Sequence, residues 1–72
     1  MMMLHQLKAG DVGKIVSVSG GRGLKQKLAL KGITEGQFVR IISSHGPITV
    51  EVNRNTISIG KGMAAKIRVL RI

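Results

Sequence analysis

Glycine spacing constrains this chain more than any other feature. Ten of its 72 residues are Gly, and they cut the sequence into pieces that suit short strands and tight turns better than helices. One stretch escapes this. From Leu24 to Lys31 the chain reads LKQKLALK, preceded by Gly20-Gly21-Arg22-Gly23 and followed by Gly32. Gly is the residue that most easily takes the left-handed conformation after a last helical turn. A single short helix is therefore expected near residues 24–31. Leu24 and Leu28 are four apart and share a face that can point inward. Leu30 lies about 200° around from Leu28, at 100° per residue.

The other pieces read as strands. Leu4–Leu7 is a candidate first strand, closed by Ala9-Gly10-Asp11. Val12–Ser19 is a second, rich in β-branched residues. There Ile15 and Val16 are adjacent and break the alternation, which a bulge near Gly13 would reconcile. Ile33-Thr34-Glu35-Gly36 forms a turn into Gln37–Ser43, where Val39 and Ile41 face one way and Phe38, Arg40 and Ile42 the other. Ile48–Asn53 alternates most cleanly, with Ile48, Val50 and Val52 inward. Asn53-Arg54-Asn55 turns the chain into Thr56–Ile59, a hairpin partner. Gly60–Ala65 suits one helical turn, and Lys66–Ile72 is a last strand with Ile67 and Val69 inward. The fold class is mostly β, a small closed barrel in which closure removes exposed sheet edges. The chain makes one domain, residues 1–72.

Chemistry is sparse. There is no Cys, so neither disulfides nor Cys-based metal sites are available. The acids are Asp11, Glu35 and Glu51, none near a His in sequence; His5 and His45 are far apart, and His45 in Ser-His-Gly-Pro reads as a turn residue. The Gly20–Gly23 turn precedes a helix, as phosphate-binding loops do, but no Lys-Ser or Lys-Thr follows its last Gly. The sequence points away from an enzyme, and no cofactor or metal ligand set is called. No run reaches the roughly 20 apolar residues of a membrane span, and Met1–Leu4 gives way to His5, Gln6 and Lys8 without a signal-peptide apolar region. The cytoplasm is the expected location.

The formal charge of +9 favours an acidic partner. The twelve Lys and Arg residues are spread evenly, with no basic tail. Nucleic acid is the alternative partner, bound as small basic barrels bind it. Yet sequence-tolerant strand binding uses aromatic platforms worth about 1–3 kcal/mol per base, and Phe38 is the one aromatic here.

Taken in order, Leu7 with Gly10, Gly13-Lys14-Ile15, Gly20-Gly21, Lys27-Leu28, Gly32–Val39, Gly46–Val50, Ile57–Gly60, Ala64 and Ile67-Arg68-Val69 resemble the FeoA family. These are small proteins that accompany the ferrous-iron transporter FeoB. The resemblance runs from about Leu4 to Val69. It implies an SH3-like β-barrel of five to six strands with an inserted helix, and a non-catalytic accessory or regulatory role in ferrous iron uptake. The implied partner is the cytoplasmic, GTP-binding region of FeoB. Transition-metal binding is a label of the family for which this chain offers no ligands, and weak self-association is compatible with the sequence.

Departures from the family pattern bear on the helix. Lys27 stands where Arg is frequent and Lys31 where Met is usual, Leu30 occupies a commonly polar position, and Glu35 replaces a common Pro. Two placements of Leu30 follow: it takes the core role of that Met, or it is an exposed apolar spot among lysines. On the second placement the expected contact surface is Arg22, Leu24, Lys25, Lys27, Leu30 and Lys31, with Met63 as an outlying member. Simple solvation is the alternative for each lysine, and core packing for Met63.

Overall fold

The computed structural model describes all of residues 1–72. Its most regular part is the hairpin of β4 (Ile48–Val52) and β5 (Asn55–Ile59), paired from Ile48↔Ile59 to Val52↔Asn55. The two-residue connection has Asn53 at φ 50° and Arg54 at φ 68°. Two consecutive positive φ values give the turn whose twist matches that of paired strands. Alternation along β4 is complete: Ile48, Val50 and Val52 are buried while Thr49 and Glu51 are half-buried.

The remaining strands are β1 (Met2–Met3), β2 (Val12–Val18), β3 (Phe38–Ser43) and β6 (Ile67–Arg71). All pairings are antiparallel, and the sheet order is β1-β6-β2-β3-β4-β5. Six strands meet the expected number. The hydrogen-bonded ladder is not closed, however: β1 and β5 are its two edges. A 3₁₀ turn (Leu4–Gln6) leaves β1, a short helix α2 (Lys61–Ala64) leaves β5, and these two pack together. Side-chain packing thus spans the gap where backbone pairing stops.

Two local expectations are corrected. Leu4–Leu7 is not a strand. Leu4 and Leu7 are both buried, a spacing of three that one tight turn satisfies, and the Gln6 side-chain oxygen accepts the Met3 N–H at 2.8 Å. The bulge falls at Val16 rather than Gly13, since Ile15 faces Val69 while Ser17 faces Arg68. Val16 is the extra residue, which lets Ile15 and Val18 both point inward. Gly13 has another role: a Cβ there would lie 3.1 Å from Leu7 Cδ1 and 3.3 Å from Val69 Cβ. Its missing side chain is what allows the Leu7 segment to close over the sheet.

The long helix, α1, spans Arg22–Leu30, starting two residues earlier than its leucines suggest. Its C-terminus is fixed by a reciprocal pair of bonds. The Ile33 N–H donates to the Leu28 carbonyl at 2.9 Å and the Gly32 N–H to the Ala29 carbonyl at 2.9 Å. Gly32 has φ +90°, the left-handed step that this cap requires. Leu28 and Ile33, at its two ends, are each 1% exposed, supplying the apolar contact that accompanies such caps. They join one cluster of fifteen buried residues, all of them Leu, Ile, Val or Ala. No polar or charged side chain is buried.

Candidate docking surface

A core without polar side chains leaves no interior site for proton transfer or ion binding. No three His, Asp or Glu side chains converge where they could hold a metal. Asp11 accepts the Lys8 N–H at 2.9 Å, and Glu51 pairs with Arg40 at 3.0 Å; these contacts serve a turn and the β3–β4 ladder. His5 and His45 are exposed and far apart in the chain. Function has to be sought on the surface.

On α1 the placement of leucines is unambiguous. Leu28 is buried and Leu30 is 90% exposed, so Leu30 is a surface residue and does not take over a core position. Gln26 and Lys27, four and three residues earlier, flank it on the helix, and Lys31 follows it directly. Arg22, Lys25, Lys27 and Lys31 are all exposed. Leu24 is half-buried and packs on the core, anchoring the first turn; it offers only part of its side chain outward. Lys25 sits on the other flank of the helix. It lines an open groove of about 420 Å³ together with Val18, Gln26, Ala29, Ile33, Thr34 and Glu35. Met63 stands apart from the rest: it is half-buried against the core on α2, whose main packing partner is the 3₁₀ turn. Arg22, Lys25, Lys27, Leu30 and Lys31 are thus all exposed on or just after α1, with Lys25 on the flank away from Leu30, while Leu24 and Met63 pack against the core.

Sequence reasoning missed a second exposed group. Phe38, Leu70 and Ile72 are 56%, 49% and 70% exposed. Phe38 and Leu70 sit at outward strand positions and Ile72 directly follows β6, but only the strand register shows which of them are neighbours.

A small SH3-like β-domain whose ionisable groups all lie at its surface is the class that this fold and surface define. A model of the FeoA domain matches residues 2–71, and the chain belongs to that family. It is 32% identical over 70 residues to the putative Fe(2+) transport protein A of Methanocaldococcus jannaschii, covering 96% of this chain and 85% of that one. A crystal structure of an iron uptake regulatory protein, FeoA, superposes with a TM-score of 0.94 at 34% identity, over 99% of this chain and 97% of the other. A manganese-dependent transcriptional repressor contains the same fold, with a TM-score of 0.90 at 22% identity, in 36% of its length.

Proposed function

We propose that this chain is an accessory protein of ferrous iron uptake that works from the cytoplasm by docking on the GTP-binding region of the transporter FeoB, without catalysis of its own. Membership of the FeoA domain family supports the link to iron uptake. The observation that carries the docking reading is the exposure of Leu30, at 90%, beside Lys27 and Lys31. An apolar residue left in water is favourable to bury against a partner, by about 1.5–3 kcal/mol for a leucine. The lysines around it would steer an acidic surface and speed encounter more than they add affinity. Leu30 is the centre of this contact face, with Arg22, Lys27 and Lys31 around it, Leu24 at its margin, and Lys25 meeting the partner from the groove flank of the helix. Met63 contributes through the packing of α2.

The test is retention of this chain by immobilised FeoB cytoplasmic domain, run beside electrophoresis on RNA and DNA at two salt concentrations. Specific retention, with no nucleic-acid shift at the higher salt, is the expected result. A nucleic-acid complex that survives added salt, with no retention by FeoB, would replace this reading with the other.

A further inference from the structure

The outer face of the sheet carries a feature that α1 does not share. Lys14 of β2 is in register with Leu70 of β6 on one side and with Phe38 of β3 on the other. Residues directly opposite on neighbouring strands share a face, with Cβ atoms about 4.5–5.5 Å apart. All three are exposed, so an ammonium group stands between two solvent-facing apolar side chains. One row along, the Ile72 N–H donates to the Val12 carbonyl at 2.9 Å, and Val12 is in register with Arg40. Four of the six side chains in this two-row grid are apolar.

The charges in the grid are unequal. Arg40 is already paired with Glu51, and that is the only salt bridge in the molecule. Lys14 has no carboxylate partner. Beside the grid, Val12, Phe38, Arg40 and Glu51 help line a hollow of about 350 Å³, room for an inserted side chain. A second copy of the chain would bring another Lys14 and another net charge of +9 to this face, which opposes self-association through it. What complements it is a carboxylate flanked by apolar groups.

From this we infer that the outer face of β6, β2 and β3 is a second docking surface, for a protein segment in which acidic and apolar residues alternate. The carboxylate meets Lys14, and the apolar side chains cover Leu70 and Phe38. None of its residues belongs to α1, so this surface stands or falls independently of the contact face assigned to the helix.

The experiment is a titration of ¹⁵N-labelled protein, followed by NMR, with a short soluble peptide alternating leucine and glutamate. Its leucine–lysine counterpart, vesicles containing phosphatidylserine, and simple dilution of the protein are parallel arms. The expected result is perturbation confined to Lys14, Phe38, Leu70 and their neighbours with the acidic peptide alone. Lys14→Glu should then weaken binding about tenfold, as loss of a central interface contact does, and Phe38→Ser should do the same. Both variants must keep the wild-type dispersion of amide signals; Lys14→Gln, milder in charge, serves if Lys14→Glu does not. Equal response to both peptides, perturbation centred on α1, response to vesicles only, change on dilution, or no response at all would each overturn the inference.

Discussion

Leu28 and Leu30 are two residues apart on α1, yet Leu28 is 1% exposed and Leu30 is 90% exposed. The helix turns about 200° between them, and the cap at Gly32 and Ile33 pins that rotation by tying Leu28 into the core. One leucine specifies the fold; the other faces water, where the proposed partner would cover it.

Stability should separate the two. Leu28→Ala removes a fully buried side chain and should cost about 2–5 kcal/mol. Leu30→Ala should fall within about 0.5 kcal/mol of wild type, as exposed substitutions do. Urea denaturation of both variants measures this directly. Equal losses would mean that Leu30 is packed against something.

The β4–β5 turn offers a stabilising change. Arg54 holds φ 68°, a left-handed conformation that costs a residue with a Cβ about 1–2 kcal/mol. Arg54→Gly relieves this but raises the entropy of the unfolded chain, worth about 0.4–1 kcal/mol. The net expectation is a gain of about 0.5 kcal/mol, or a melting point higher by about 2–4 °C in a domain of this size. A scanning calorimeter resolves that difference, and a lower melting point would show that the Arg54 side chain contributes stability of its own.

The Arg40–Glu51 pair joins β3 to β4 directly across the ladder. Its side chains are 58% and 38% exposed, so water and salt screen it. A double-mutant cycle with Arg40→Ala and Glu51→Ala should give a coupling of about 0.2–1 kcal/mol, falling as salt is added. A coupling that ignores salt would point to packing of the arginine stem instead.

Nucleic-acid binding should be weak and purely electrostatic. Phe38 is the one aromatic side chain. Any shift of RNA or DNA at low salt should vanish near physiological salt, because only counterion release would drive it. A gel shift that persists there would count against a protein-docking role.

The sequence disclosed the parts of this fold that local periodicity governs. β4 alternates strictly, Gly32 marks a helix end, and Asn53-Arg54 lies where two strand patterns meet; each is decided by residues close in the chain. α1 begins at Arg22 rather than Leu24 because Gly23, which reads as punctuation, sits within the first helical turn. The 3₁₀ turn reads as a strand because two apolar residues in four do not by themselves reveal a period, although the Leu4–Leu7 spacing of three carries the signal. β1 is two methionines held by pairing to Val69 and Arg68, contacts nearly seventy positions away that nothing local encodes. The outer-sheet surface was illegible for the same reason. Phe38, Lys14 and Leu70 come from three strands, and only their register makes them neighbours. The outward placement of Leu30 follows from wheel geometry, whereas the packing of Leu24 and Met63 against the core needed the core around them.

The central claim is that this domain acts through an exposed apolar residue set among cations, and calorimetric titration into the FeoB cytoplasmic domain tests it most directly. Wild-type protein should bind, and Leu30→Glu should bind at least about tenfold more weakly, the cost of removing roughly 1.4 kcal/mol from the contact, while melting at the wild-type temperature. Equal binding by the two proteins, with both folded, would contradict the claim.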